Sequence, residues 1–138
     1  MDETTIIIMQ KNAETGFLEK EQGSYTVQGD SAFIQSVYAQ DSENGQDVWM
    51  YLTCEKELED WEYEAVFDYY DTESLAAQVE SVEEIEEHMN PVWLVRFAYI
   101  THQEEMEGKL SCILDLHIKE LHSVYDAIAD KKDDYIES

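Results

Sequence analysis

Between Glu55 and His88 stand 14 carboxylates and one base, Lys56. That net of −13 is just over half of the charge of −25 carried by the whole chain of 138 residues. Carboxylates at this density can transfer protons in pairs, ligate cations, or meet a basic surface. An acid/base pair needs only two at a workable separation. With 33 acidic residues in the chain, chance alone supplies such pairs, so pairing singles out none of them. Cation ligation fares no better. The loop Asp41–Asp47 is not an EF-hand, because its glycine, Gly45, comes one place early and the twelfth position falls on Leu52, which cannot ligate. Weak binding of Ca²⁺ or Mg²⁺ at such clusters would say nothing about function. No metal and no cofactor is expected.

The third kind of chemistry fits best. Carboxylates at helix spacings of three to four residues lie roughly 4.5–6 Å apart along the axis. Those at alternate strand positions lie roughly 7 Å apart. A nucleic-acid strand offers one charge per about 3.4 Å. A surface carrying Glu62, Glu64, Glu80, Glu83, Glu84 and Glu87, with Trp61 as an aromatic anchor, could therefore dock a basic partner. Imitation of a phosphate backbone is its sharpest form. The plain alternative is a solvated face that keeps the protein soluble. Acid beside aromatic in Asp60–Glu64 suits an interface, since Trp and Tyr are favoured anchors. Ordinary core packing would use the same rings.

Three other residues could line a small-molecule pocket: Arg96, His117 and Cys112. Arg96 is the only arginine and interrupts an apolar strand face, where a carboxylate partner would offset its desolvation. An anion site is the sharper alternative. His117 falls on an apolar helix stripe, as a hydrogen-bonded core histidine would. His117 and His122 are five residues apart, about 140° around a helix, and cannot chelate together. HExxH, P-loop, GxGxxG, GxSxG and paired CxxC arrangements are all lacking. Cys54 and Cys112 make no disulfide framework and read as thiols of a cytoplasmic protein.

The charge also excludes partners. Nucleic-acid phosphates and anionic lipid surfaces repel it. Direct nucleic-acid binding and membrane docking are therefore not expected. No apolar run approaches the roughly 20 residues of a membrane span, and the N-terminal residues carry no basic leader. Apolar residues make up 43% and aromatics 12%, enough for a folded core in spite of the charge.

The elements that position these residues follow from periodicity. Thr4–Gln10, Phe17–Glu21, Ser24–Gln28, Ala32–Ala39 and Val48–Cys54 read as strands, the second and third as one strand broken at Gly23 or as two. Turns fall at Asn12–Gly16 and Asp41–Gly45. Trp61–Tyr70 fits both period two and a helix, and its aromatic content favours the strand. Leu75, Val79, Val82, Ile85 and Met89 predict a helix over Thr72–Met89, capped by Asp71, with a break at Ser81 as an option. Val92–Ile100 is apolar on both faces, as in a central strand or one whose second face meets another chain. Thr101–Glu104 reads as a capping box opening a helix from about Gln103 to about Asp130, with a stripe of Leu110, Leu114, His117, Leu121, Val124 and Ile128.

The expected fold is α+β: a mostly antiparallel sheet of five or six strands packed with two helices, including a long C-terminal helix. Residues 1–132 form a single acidic domain and residues 133–138 a frayed tail. The function expected is that of a non-enzymatic cytoplasmic interaction protein that docks a basic protein surface. A small-molecule-binding domain or enzyme is the alternative, and a homodimer a further option.

Overall fold

The computed structural model describes residues 3–12, 14–43, 45–86 and 89–136. Six strands make one sheet: β1 (Glu3–Lys11), β2 (Leu18–Gln28), β3 (Ile34–Ser42), β4 (Gly45–Leu52), β5 (Ser81–Ile85) and β6 (Val92–Ala98). The helices are α1 (Asp60–Tyr69), α2 (Glu73–Ala76), α3 (Gln103–Ile128) and α4 (Lys132–Tyr135). The strand order is β2-β1-β3-β4-β6-β5. All neighbours are antiparallel except β1 and β3, which run parallel over three residue pairs, Met9–Tyr38, Gln10–Ala39 and Lys11–Gln40. The architecture is the expected α+β class, mostly antiparallel and closed by a long helix.

Alternation decides which face of the sheet is dry. Ile6 and Ile8 on β1, Tyr25 and Val27 on β2, Val48, Met50 and Leu52 on β4, and Trp93, Val95 and Phe97 on β6 all point to one side. There they meet the stripe of α3, whose Leu110, Leu114, His117, Leu121, Val124 and Ile128 are all buried as expected. The helix begins with His102 as its N-cap, and no side chain caps it, so the expected Thr101 box does not form. The first turn at Asn12 is built as its sequence suggests. The Asn12 side-chain oxygen accepts the N–H groups of Glu14 and Thr15 at 2.8 and 3.2 Å, and Gly16 takes φ +76°. β2 is one strand, with an irregularity opposite Ile8 and Met9 beside Gly23.

Two expectations are corrected. Trp61–Tyr70 is not a strand but α1. Ala65 and Val66 are adjacent and both fully buried, a pair that a half-buried strand would split between its two faces and that one side of a helix takes into the core. Phe67, and Tyr70 just past the helix end, pack on Trp93. Thr72–Met89 is not one helix. A single turn, α2, ends at Ala76, and Ser81–Ile85 pairs with β6 as β5. Asp71 does take the start, its carboxylate accepting the Glu73 N–H at 2.9 Å. The physical reason for β5 lies in β6. That strand is apolar on both faces, and β5 on its outer side makes it an interior strand. A helix there would also stack Glu80, Glu83 and Glu84 at repulsive spacings. The two misreadings offset each other in the strand count.

Among the described residues no helix lies over the second face of the sheet. Lys11 sits 4.6 Å from the centre of the Tyr38 ring, Tyr38 stacks on Trp49 at 5.8 Å, and the Arg96 guanidinium lies 4.9 Å from the Trp49 ring. This ladder crosses β1, β3, β4 and β6. Beside it Tyr38, Val92 and Leu94 are buried by lateral packing, apart from the main core. The expected tail begins at Asp133. Lys132–Tyr135 forms α4, and Tyr135 packs against Trp61 of α1.

Candidate interaction surface

The acidic stretch is organised by α1 and the strand edge it faces. Glu62 is spent on local structure, its carboxylate accepting the Glu59 N–H at 3.0 Å at the start of α1. Asn90 ties the preceding loop down. Its oxygen accepts the Leu58 N–H at 3.2 Å, and its amide donates to the Lys56 carbonyl at 2.8 Å. With Ala65 and Val66 turned into the core, one flank of α1 presents two pairs at a spacing of four residues: Tyr63 with Phe67, and Glu64 with Asp68.

These residues and Glu86 line a groove of about 490 Å³ between α1 and the end of β5. Tyr63 and Phe67 meet edge to face at 5.4 Å, and Phe67 rests on Trp93 at the same centroid distance. The Tyr63 hydroxyl donates to the Glu86 carbonyl at 2.8 Å, joining helix to strand. Among the described residues the lining holds three carboxylates and no base. Glu84 shares this environment. Its pKa is raised, first by partial burial and then by the charges of Glu86 and Asp68. The Tyr63 hydroxyl is likewise raised, by burial and then by Glu86.

A second cleft, of about 640 Å³, adjoins on the far side of Glu64, between α1 and α4. Trp61 and Tyr135 face each other there at 6.4 Å. The Trp61 indole donates to the Glu59 carboxylate at 2.7 Å, and the Tyr135 hydroxyl to Asp68 at the same distance. That bond to a carboxylate holds the phenol up at about 12.

The structure gathers some of the sequence candidates and scatters the rest. Glu64 and Glu84 share the groove side, and Trp61 stands in the neighbouring cleft. Glu62 caps a helix. Glu80 precedes β5, and Glu83 points to the open face opposite Leu94, while Glu84 sits opposite Trp93 on the helix side. Glu87 lies outside the described residues, as does His88. The regular carboxylate array expected on one helix is not formed. Tyr63, Phe67, Asp68 and Glu86 went unselected. Reading Trp61–Tyr70 as a helix would have exposed the first three as neighbours.

The three pocket candidates do not converge. Arg96 sits on the open face, where it stacks on Trp49 and its Nε donates to the Ser81 hydroxyl at 3.0 Å. The carboxylate partner expected for it is not found. Among the described residues the one ion pair joins Lys119 to Asp115 at 2.9 Å. His117 is sealed between sheet and helices. Its Nε2 donates to the Thr53 carbonyl at 2.8 Å, and its Nδ1 then accepts the Tyr70 hydroxyl at 2.9 Å. Burial pushes its pKa down to about 4. Cys112 is exposed on α3. Burial pushes the other thiol, Cys54, up to about 11 and makes it a poor nucleophile.

Among the described residues no group of three or more His, Cys, Asp or Glu side chains is placed to hold a metal ion. Among them, too, no helix is long and apolar enough to cross a membrane. Comparison with the curated proteins and with the solved structures yields no match. Residues 1–136 match a family of unknown function, DUF6762, and with nearly its whole length inside that match the chain belongs to this family.

Proposed function

We propose that the protein is a non-enzymatic interaction module that docks a basic segment of a protein partner in the groove between α1 and β5. One observation carries this reading: three carboxylates, Glu64, Asp68 and Glu86, surround an aromatic pair, with no base among the described residues of the lining. A lysine or arginine entering there meets opposite charge and the faces of Tyr63 and Phe67 together. Charge-assisted hydrogen bonds and cation–π contact then act on the same group. The raised pKa of Glu84 supports it, because an incoming cation would relieve that crowding.

The test is titration of the protein with a lysine heptapeptide, using a glutamate heptapeptide as control. Binding of the lysine peptide is expected to weaken as salt rises. Neutralising the groove with Glu64→Gln, Asp68→Asn and Glu86→Gln is expected to weaken it about tenfold or more. Neutralising three distant exposed carboxylates with Glu3→Gln, Glu14→Gln and Asp126→Asn removes the same charge and is expected to change little. Equal weakening by both triples would reduce the groove to a share of net charge and sink the reading.

A further inference from the structure

The two edges of the sheet differ in a way that specifies how such a segment binds. At the β2 edge, α3 supplies side chains to the free backbone groups. Glu107 accepts the Thr26 N–H at 2.6 Å, Ser111 accepts the Gln28 N–H at 3.0 Å, and Gln103 donates to the Ser24 carbonyl at 2.8 Å. The described residues give the other edge, that of β5, no comparable cover. Among the described residues no strand and no side chain bonds the outer backbone of Ser81–Ile85. The Tyr63 hydroxyl bonds the Glu86 carbonyl just past the strand end, where the groove begins.

We propose that the outer edge of β5 accepts an extended basic segment as a seventh strand, its alternate side chains entering the acidic aromatic groove. The inference rests on the functional reading above and adds the backbone to it. An unpaired edge is a row of N–H and C=O groups that a peptide can complete. Five residues span about 17 Å, enough for a short recognition segment. Side chains of an added strand alternate between faces. Those on the helix side reach Tyr63, Phe67, Asp68, Glu84 and Glu86, and those on the other side meet Glu83.

The same residues exclude a second copy of this chain as the occupant. Pairing β5 with β5 would bring Glu83 and Glu84 of one strand against those of the other, and directly opposed like charges destabilise a strand pair. Over Ser24–Gln28 the β2 edge of another copy is already occupied by its own α3. An edge that repels itself and lies open to opposite charge selects a basic partner.

Three versions of an alternating lysine–threonine heptapeptide test the mode: unmodified, N-methylated at the threonines, and N-methylated at the lysines. An added strand turns only one alternate set of its N–H groups toward the edge. One methylated version is therefore expected to bind about thirtyfold more weakly, the effect of losing two or three backbone bonds. The other should bind within about threefold of the unmodified peptide. Outer-edge amides of Ser81–Ile85 should gain protection from hydrogen exchange on binding. Charge-dependent binding unaffected by either methylation overturns strand addition and leaves the groove reading standing. Failure of the unmodified peptide to bind overturns both.

Discussion

The β2 and β5 edges belong to one sheet, yet their backbones meet different fates. β2 has 11 residues, and a long helix crosses its edge with a carboxylate, a hydroxyl and an amide aimed at its backbone. β5 has five residues, no side chain bonded to its outer backbone among the described residues, and glutamates on both of its faces. Each is a solution to the same hazard, since an exposed edge invites pairing with any other strand. Covering an edge closes it to every partner. Charging it closes it only to partners of the same sign. The net charge of this chain is thus also a filter with a location.

The contrast depends on α3 being anchored across the sheet, and His117 is the anchor, bonded to Thr53 just past β4 and to Tyr70 beyond α1. The largest effect is therefore expected from His117→Ala. It leaves a cavity and strands two buried polar partners, for a loss of about 3–5 kcal/mol in chemical denaturation. Acid should do part of the same work. Burial holds the imidazole at about 4 against an ordinary 6.5, so the unfolded chain takes up its proton first as pH falls. The stabilising contribution is whole above pH 6.5 and declines as pH drops toward 4. The decline amounts to about 3 kcal/mol by linkage. His117→Gln should lack that slope, and parallel pH profiles for the two proteins would contradict the assignment.

Next in size is removal of the cover on β2. Glu107→Ala with Ser111→Ala deletes two acceptors for backbone N–H groups, at a cost of about 2–3 kcal/mol. Exchange of the Thr26 and Gln28 amides should accelerate far more than that of core amides. If it does not, the side chains are not what closes this edge. The smallest effect belongs to β5. Glu84→Gln should raise stability at neutral pH by a few tenths of a kcal/mol at most, because an exposed carboxylate is screened. Its sign follows from the raised pKa. The folded state holds the proton more firmly than the unfolded one, so stability is lost as pH rises through the carboxylate range. The gain should vanish in acid, and a gain that persists there would point to a cause other than charge.

Much of this was legible in the residues themselves. The stripe of α3 has 26 residues over which to repeat, and the alternation of Val48, Met50 and Leu52 is unbroken. Both are local signals written in one face. Helix α1 and strand β5 were not legible for the opposite reason. Trp61–Tyr70 carries rings on several sides, so either period finds support. Ser81–Ile85 becomes a strand because β6 needs a neighbour, a demand made elsewhere in the chain. The acidic stretch was located correctly as composition. Which carboxylates face each other was not, because Glu83 and Glu84 take opposite faces in a strand but lie only about 100° apart around a helix. The cover on β2 was beyond reach. Thr26 and Glu107 lie 81 residues apart, and nothing local marks either as the other's partner.

That separation has a consequence in the order of synthesis. The strand needing cover is made first, and the side chains that cover it come late. At the usual 5–20 residues per second, roughly 4–16 s pass between Thr26 and Glu107 leaving the ribosome. For that interval a growing chain carries an unguarded edge, and neighbouring chains on the same message carry it too. The acidic stretch from Glu55 onward emerges within this window. Before α3 can cover β2, the charge keeps one nascent chain away from the next.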